Sequence, residues 1–422
     1  MDNKKIKVLA YCDSPTVATG FATVSRNILM GLHATGRYDV VILGINYFGT
    51  PHNLPFPIYP TGINSQNDPY GRSWAKEMMK SSEFDILFTL QDSFILDFMK
   101  DVIQDLRVKN PRLRWINYFP VDGRPKKQWI EAMNLADYPI TYTKWGMEQC
   151  NEVLPESKDK IDYIYHGVNV KDFHPLPKDD VERFRRQYFG HLNSRYIICN
   201  VNRNQQRKDI PRGMQAFKLF KEKCPNALLY QHAATVDHGW NLVEVANNIG
   251  LRINEDICFP NNFNVNQGYP IAILNQIYNA SDVVISSTTG EGWGLAQVEA
   301  MACCKPVISP DNTACTEIVG DNRGILVPSG WNNNAWTILP NDNEILRPLA
   351  DVDAMAKAME NLYTDKKLAM ELAINGYKWA TSTIKWDKNI VPKWVEVFDK
   401  AVESSKSCVK ASTGGDISVL EV

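Results

Sequence analysis

The chain has 422 residues, of which 44% are hydrophobic and 22% are charged, and its formal net charge at pH 7 is −2. This length predicts two or three domains, and the composition is typical of a soluble globular protein. The near-neutral charge excludes a globally basic nucleic-acid-binding protein, and no apolar run approaches the roughly 20 residues that a membrane span requires.

The start of the chain and its cysteines favour a cytoplasmic location. Residues 1–6 lead directly into a predicted strand, without the apolar core of a signal peptide. The nine cysteines are scattered, show no metal-type spacing, and include the adjacent pair Cys303 and Cys304. We therefore expect reduced thiols in a cytoplasmic protein rather than a framework of disulfides.

Alternating strands and helices predict a first domain at residues 1–165. Short apolar runs predict strands at 6–11, 40–43, 86–90, 115–118, 138–141 and 161–165. Helical periodicity predicts helices between several of them, at 21–32, 72–80 and 94–106, and a long loop occupies 46–71. Gly20 precedes the first helix, which makes that N-terminus a candidate anion site. The alternation predicts a parallel sheet that is covered on both faces.

Polar and proline residues at 166–177 predict an interdomain linker, and the alternation then restarts. Strands are predicted at 196–201, 227–231, 257–259, 283–286, 306–309 and 324–327, with helices at 214–223, 242–248, 272–278 and 295–303. We assign 166–385 to a second domain, 386–403 to a terminal helix that packs back on the first domain, and 404–422 to a disordered tail. The prediction is an α/β protein with two Rossmann-like parallel domains facing across a cleft.

A glycine-rich turn at 290–294 joins a predicted strand to a predicted helix. This geometry aims backbone N–H groups and the positive end of a helix dipole at an anion. Glu291 in the turn can reach a hydroxyl-rich group beside that anion. Glu299 lies within the helix, where its charge needs a partner such as a pair of ribose hydroxyls. Together they suggest a nucleotide-sugar site, although a turn carboxylate and a helix glutamate explain the spacing equally well.

Two basic residues follow the first strand of the second domain. Arg203 and Lys208 lie five positions apart at the carboxyl end of the strand predicted at 196–201. There they could clamp a diphosphate, arginine through its planar fork and lysine as a point charge. The alternative is a solvated basic loop.

Several motifs between residues 160 and 330 occur in the order of a known family. Residues 291–295 read Glu-Gly-Trp-Gly-Leu, residues 299–302 read Glu-Ala-Met-Ala, and Arg203 and Lys208 form an Arg-x4-Lys pair. His-Gly-Val-Asn at 166–169 resembles a linker motif. The chain therefore resembles the retaining glycosyltransferase family 4, a GT-B family of the glycogen-synthase and sucrose-synthase superfamily. Across the first domain the resemblance is loose.

The resemblance implies a role for each of these residues. Arg203 and Lys208 would bind the donor diphosphate, Glu291 the transferred sugar, and Glu299 the ribose. The backbone after Glu291 would meet the phosphates, and the side chain of Trp293 is expected to narrow the sugar pocket. The backbone and pocket residues are Gly292, Trp293, Gly294 and Leu295, and Phe259 lies where family members bracket the base.

The sequence departs from the family at two places. Cys304 replaces a usual glycine. The family often carries a first-domain histidine beside the reacting sugar, whereas the local matches here are Gln91–Asp92 and residues 120–123, which contain none. We take Asp122 as the candidate catalytic substitute, and an ordinary turn aspartate before glycine is the alternative.

The predicted activity is retaining transfer of a hexosyl or pentosyl group from a nucleoside-diphosphate sugar to an acceptor hydroxyl. We expect no metal or other cofactor, because Arg203, Lys208 and the helix terminus already supply positive charge. The acceptor is predicted to be a small molecule, a glycan or a lipid-linked sugar. A further alternative is a non-catalytic nucleotide-sugar-binding protein.

A basic segment at 107–127 leaves a nucleic-acid acceptor open. Its basic residues outnumber a single acid, Asp122, and aromatic residues are interleaved with them: Arg107, Lys109, Arg112, Arg114, Arg124, Lys126 and Lys127. Such a patch could receive a DNA or RNA backbone for base glycosylation. The alternative is that the first part caps a helix and the second is a solvated loop.

Overall fold

The computed structural model describes residues 5–61, 67–264 and 268–413, with side chains as far as residue 406. These residues form two parallel α/β sheets, which is the predicted fold class. The sheets face each other across the region where the predicted donor residues lie.

The first domain contains a sheet of seven parallel strands. The strands are Ile6–Asp13 (β1), Tyr38–Ile45 (β2), Ile58–Pro60 (β3), Ile86–Leu90 (β4), Arg114–Phe119 (β5), Tyr138–Thr141 (β6) and Asp162–Tyr163 (β7). The helices are Gly20–Ala34 (α1), Arg72–Ser81 (α2), Met99–Lys109 (α3), Lys127–Met133 (α4) and Lys144–Val153 (α5). The strand order is β3-β2-β1-β4-β5-β6-β7, so connections diverge between β1 and β4, where an open α/β sheet forms a ligand crevice.

The second domain repeats this arrangement with six parallel strands. The strands are Tyr196–Val201 (β8), Ala227–His232 (β9), Ile257–Cys258 (β10), Val283–Ile285 (β11), Val307–Pro310 (β12) and Ile325–Val327 (β13). The helices are Lys178–Phe189 (α6), Ile210–Lys223 (α7), Leu242–Ile249 (α8), Ile271–Ala280 (α9), Leu295–Ala302 (α10), Thr313–Val319 (α11), Val352–Thr364 (α12) and Lys366–Thr383 (α13). The strand order β10-β9-β8-β11-β12-β13 places a second crevice between β8 and β11.

Three strands lie outside the predicted alternation. β3 falls inside the predicted loop 46–71, where it pairs in parallel with β2. An antiparallel hairpin of Trp336–Ile338 (β14) and Leu346–Pro348 (β15) is inserted between β13 and α12. The hairpin connection is rich in Asn, and Asn341, Asn343 and Glu344 all have positive φ. Such turn residues carry no helical or strand periodicity, so the sequence did not predict the hairpin.

The last helix, Val391–Thr413 (α14), packs on the first domain against α1 and β5. Trp394 is fully buried, and its ring lies 5.7 Å from that of Phe88. The helix continues past Ser404, where we predicted a disordered tail to begin. Arg114 Nε donates a hydrogen bond to Ser404 Oγ (3.0 Å), which holds this turn against the sheet. The described helix therefore extends through residues 404–413 of the predicted tail, and 414–422 lie outside the described residues.

The chain crosses between the domains at two adjacent places. Val168 N–H donates a hydrogen bond to Ile384 O at 2.7 Å, so the outgoing and returning segments lie side by side. Trp386 covers Gly167, where a Cβ would lie 2.6 Å from the indole ring. Glycine is required at this position because the indole leaves no room for a side chain. The domain boundary at 165/166 itself stays a prediction.

Candidate active site between the two domains

A buried ion pair between Glu291 and Lys208 lies at the crevice of the second sheet. Lys208 follows β8 and Glu291 follows β11, and these strands are neighbours. Lys208 Nζ lies 2.5 Å from Glu291 Oε1, and Glu291 is 6% exposed. Burial acts to raise the pKa of Glu291, but the charges of Lys208 and Arg207 outweigh it and hold that pKa below its ordinary value. The structure thus brings together two predicted site residues as an ionised pair.

Backbone and hydroxyl contacts fix the two loops that carry this pair. Thr289 N–H donates to Arg207 O (2.8 Å), and Ser287 Oγ donates to Asp209 O (2.8 Å). Glu291 N–H donates to Thr313 Oγ1 at 2.9 Å. Because the loops are tied to each other and to α11, the charged groups are held in place by the fold itself.

The N-terminus of α10 is open toward the cleft. Gly294 precedes it with a φ of 111°, a conformation that favours glycine. Within the described residues no side chain caps this end, whereas Thr19 caps α1 by accepting from Ala22 N–H at 3.0 Å. A Cβ on Gly20 would lie 3.3 Å from Leu295 Cδ1, so the two helix starts nearly touch. The free N–H groups of α10 suit an anion.

Arg203 is the predicted donor residue that does not join this cluster. Its Nε lies 2.7 Å from Asp237 Oδ2, and its side chain is 43% exposed. Arg207 takes the place beside Glu291, with Nη1 3.4 Å from Glu291 Oε2. The sequence contained Arg207 in the same loop, but spacing alone could not distinguish it from a solvated residue.

Asp122 reaches the site from the first domain, between two arginines of the second. Its carboxylate lies 3.1 Å from Arg207 Nε and 3.2 Å from Arg347 Nη1. Burial acts to raise the pKa of Asp122, but Arg347 and Arg207 outweigh it and the pKa is lowered. Asp122 is therefore an ionised bridge between the domains, a role that its turn position did not reveal. Arg347 comes from the unpredicted hairpin.

Two glycines allow the loops of the two domains to meet. A Cβ on Gly290 would overlap Asp122 O, and one on Gly292 would lie 2.8 Å from Pro120 Cβ. Any side chain at these positions would separate the domains locally. Gly290 and Gly292 therefore allow the two domains to approach closely, in addition to forming the turn.

Glu299 and Phe259 lie at the edges of this cluster. Glu299 accepts a hydrogen bond from Tyr278 Oη at 2.8 Å, and burial raises its pKa to about 7. Phe259 follows β10 and packs half-buried against the core of the second domain. The ribose role of Glu299 and the base role of Phe259 stay predictions.

The side chain of Trp293 does not line an open pocket. It is 3% exposed, and its ring lies 5.1 Å from Tyr165 and 5.6 Å from His166 at the domain crossing. The indole thus takes part in packing between the domains, and its expected effect on the sugar pocket stays a prediction. His166 is itself buried, and burial lowers its pKa to about 3.

Two further carboxylates of the first domain were not among the predicted site residues. Asp13 ends β1 and accepts hydrogen bonds from Thr19 Oγ1 (2.6 Å) and Gln91 Nε2 (3.2 Å). Asp92 follows β4, and burial, reinforced by the charge of Asp122, raises its pKa to about 7. The sequence held a signal for Asp92, since Gln91–Asp92 stands where the family's histidine motif was sought.

The basic segment 107–127 is not a free phosphate-binding patch. Four of its seven basic side chains pair with acids: Arg107 with Asp137 at 2.8 Å, Arg124 with Glu152 at 3.1 Å, Lys126 with Glu344 at 2.8 Å, and Lys127 with Glu131 at 3.8 Å. Arg114 is buried and bonded to Ser404. Asp137, Glu152 and Glu344 lie 28 or more positions from their partners, so the sequence did not reveal these three pairs.

Among residues 5–61, 67–264 and 268–413, no three His, Cys, Asp or Glu side chains are grouped so as to hold a metal ion. The eight cysteines whose side chains are described are free thiols. None of the helices in this part of the chain is both long and apolar enough to cross a membrane.

Comparison with known proteins relates the second domain to sugar transferases. Residues 181–379 match the family model described as glycosyl transferases group 1. A putative glycosyltransferase of Bacillus subtilis, EpsD, is 24% identical over 276 residues, which cover 64% of this chain and 61% of that protein. An alpha-maltose-1-phosphate synthase of Mycolicibacterium smegmatis is 22% identical over 282 residues, covering 66% of this chain and 67% of that protein.

Solved structures match the fold over nearly the whole chain. A sucrose-phosphate synthase from Thermosynechococcus elongatus has a TM-score of 0.73 at 17% identity, covering 95% of this chain and 100% of that one. Anabaena HepE, in complex with UDP-glucose, has a TM-score of 0.67 at 16% identity, and the match covers 94% of this chain and 100% of HepE. The two parallel-sheet Rossmann-like domains are therefore the GT-B fold.

Proposed function

We propose that the chain is a retaining glycosyltransferase that moves a hexosyl or pentosyl group from a nucleoside-diphosphate sugar to an acceptor hydroxyl. The observation that carries this proposal is the buried Lys208–Glu291 ion pair beside the open N-terminus of α10. Lys208 and the N-terminus of α10 supply positive charge for a diphosphate, and the adjoining carboxylate of Glu291 can accept hydrogen bonds from sugar hydroxyls. The group 1 match and the UDP-glucose complex of HepE support a nucleotide-sugar donor.

In this proposal the sugar–diphosphate bond breaks through an oxocarbenium-like transition state. The bonding electrons leave with the diphosphate, where Lys208 and the N–H groups of α10 stabilise the developing charge. The acceptor oxygen bonds to the same carbon from the leaving-group face, and its proton passes to the departing diphosphate. Glu291 orients the sugar and Glu299 the ribose. The interdomain contacts around Asp122 exclude water, which would otherwise hydrolyse the donor.

Arg203 joins the donor site only after it leaves Asp237. The side chain of Arg203 is 43% exposed, whereas that of Asp237 is only 7% exposed. A diphosphate carries more negative charge than one carboxylate and can compete with Asp237 for the exposed guanidinium. Arg203 is therefore proposed as a residue recruited by the donor, whereas Lys208 is already in place.

The proposal is tested by screening nucleotide sugars, UDP-glucose first, for thermal stabilisation and for hydrolysis or transfer. Lys208→Ala and Glu291→Ala should each reduce turnover by roughly a hundredfold or more. Lys221→Ala is the matched control, because Lys221 also forms a buried pair with an acid, Asp256, at 3.1 Å in the same domain but outside the site. Turnover that survives both site variants would refute the site assignment. Donor binding without any turnover would favour the non-catalytic alternative.

Transfer is proposed to be independent of a metal ion. Lys208, Arg207 and the α10 terminus supply the positive charge for which other transferases use a divalent ion. Transfer should be unchanged after dialysis against EDTA. Loss of transfer in EDTA, with recovery on addition of Mn²⁺ or Mg²⁺, would contradict this part of the proposal.

A further inference from the structure

A row of polar side chains follows four adjacent strands of the first sheet. In the strand order β1-β4-β5-β6, Asp13 ends β1, Asp92 follows β4, Asp122 follows β5 and Tyr142 follows β6. Because parallel strands present their carboxyl ends at one edge, these groups share the edge that faces the second domain. The row begins at the crevice between β1 and β4, where open α/β sheets bind ligands.

The Tyr142 hydroxyl is the observation that points to a ligand. Tyr142 is 5% exposed, and among the described residues its Oη has no hydrogen-bond partner. Burial raises the pKa of this phenol far above its usual range, and Tyr118, Asp92 and Asp13 raise it further. Tyr142 follows β6, at the same edge of the sheet as the carboxylates of the row. A buried hydroxyl without a partner is costly unless a ligand or water completes it.

Acidic groups dominate the charge around this row. Five carboxylates and only three cations belong to the connected cluster of charges around Asp92. The carboxylates are Asp13, Asp92, Asp122, Glu291 and Asp342, and the cations are Arg207, Lys208 and Arg347. The three cations are already paired, and Lys208 is committed to the donor side. A phosphate on the acceptor would therefore meet Asp13 and Asp92 without a free cation. Above about pH 7, where Asp92 is ionised, such like-charge contact is unfavourable.

We propose that Asp13, Asp92 and Tyr142 form the acceptor subsite, and that it takes an uncharged, hydroxyl-rich acceptor such as a sugar or polyol and rejects its phosphorylated form. Carboxylates accept hydrogen bonds from sugar hydroxyls, and Tyr142 can donate one. Gln91, held by Asp13, orients that carboxylate as a positioning residue. This inference rests on the proposed glycosyl transfer and names the acceptor class that the same cleft accepts.

The test compares acceptors that differ only by a phosphate. The probes are glucose with glucose 6-phosphate, glycerol with glycerol 3-phosphate, and inositol with inositol 1-phosphate. The donor is UDP-glucose, or whichever nucleotide sugar in the screen is hydrolysed fastest. We expect kcat/KM to be at least roughly tenfold higher for the neutral member of a pair. Preference for the phosphorylated member of a pair would overturn the inference. Equal rates within every pair, or no transfer to either member of any pair, would also overturn it.

Variants separate recognition from stability. Above about pH 7, where Asp92 is ionised, Asp92→Asn should lower the preference for the neutral acceptor by roughly tenfold, because it removes the repelling charge. Tyr142→Phe should reduce kcat/KM for the neutral acceptor through KM rather than kcat. The matched controls are Asp39→Asn and Tyr59→Phe, at exposed positions of β2 and β3, and should change neither value. A preference unaltered by Asp92→Asn would contradict the subsite. Absence of all donor turnover in the unmodified protein would instead overturn the proposed function.

Discussion

Arg347 of the β14–β15 hairpin binds both the backbone oxygen and the carboxylate of Asp122, which lies across the cleft in the first domain. Its Nη1 is 3.2 Å from Asp122 Oδ1, and its Nε is 2.6 Å from Asp342 Oδ2. Arg347 is 2% exposed. One buried guanidinium thus joins the inserted hairpin, the second domain and the loop of the first domain that contacts Gly290.

Removing this guanidinium should destabilise the protein strongly. Arg347→Met leaves Asp342 without its ion-pair partner and Asp122 with Arg207 alone, so we expect a loss of about 3–5 kcal/mol in the free energy of unfolding, measured by urea denaturation. Adding Asp122→Asn should recover part of that loss, since one stranded charge is then removed. Arg37→Met is the control, because the Arg37–Asp399 pair is half-exposed and should contribute about 1 kcal/mol or less. Equal losses at both arginines would contradict the buried bridge.

Binding of UDP should be linked to proton release from Glu299. Burial raises the pKa of this carboxyl to about 7. Ribose hydroxyls donating to the ionised form would lower that pKa, so the complex would bind fewer protons than the free protein. UDP affinity should then rise with pH up to about 7 and level off above it. Calorimetry in buffers of different ionisation enthalpy should detect the released proton.

Glu299→Gln provides the check on that linkage. The amide cannot titrate, so its UDP affinity should be independent of pH across this range and no proton should be released. A pH dependence that persists in Glu299→Gln would assign the proton to another group. Glu244→Gln, on the exposed side of α8, is the control and should retain the linkage.

His166 should make the fold sensitive to acid. Burial lowers its pKa to about 3, below the ordinary value of 6.5. Below pH 6.5 the unfolded chain therefore binds a proton that the folded protein does not, and stability declines as pH falls toward 3, by at most about 1.4 kcal/mol per pH unit. His166→Phe should flatten this decline in urea unfolding measured at several pH values. Tyr118 keeps its hydrogen bond to Ile164 O in that variant.

One outcome would count against this assignment. An unchanged acid decline in His166→Phe would place the titration elsewhere. His232 should also lower the stability as pH falls, because burial lowers its pKa to about 4. It is the matched comparison in the second domain. Asp92 and Glu299 act in the opposite direction, because raised carboxyl pKa values cost stability as pH rises from about 4 to 7. The contribution of His166 is therefore the difference in pH-dependent unfolding free energy between His166→Phe and the unmodified protein.

Duplex DNA should bind weakly. Arg107, Arg124 and Lys126 are engaged by Asp137, Glu152 and Glu344, so few cations remain to displace counterions from a phosphate backbone. We expect a dissociation constant weaker than about 10⁻⁴ M at physiological salt, measured by fluorescence anisotropy. Micromolar binding that weakens steeply with salt would revive the nucleic-acid acceptor.

The predicted fold followed from local patterns and was confirmed as two parallel α/β domains. Strands 6–11 and 196–201 lie where β1 and β8 lie, because continuous apolar runs are recognisable without long-range information. Lys208 and Glu291 could be predicted for a similar reason. Each lies just beyond a strand end, and parallel strands bring their carboxyl ends to one edge.

By itself the sequence therefore determined the two parallel α/β domains and the placement of Lys208 and Glu291 at one edge of the second sheet. Only the tertiary structure decided that Arg207 rather than Arg203 meets Glu291, that Arg347 holds Asp122 from 225 positions away, and that four basic side chains of segment 107–127 pair with acids. The physical reason is that strand order and domain packing select the partner of each charge. Periodicity and spacing encode which side chains leave a strand end, whereas the groups they meet across the cleft depend on contacts between distant parts of the chain.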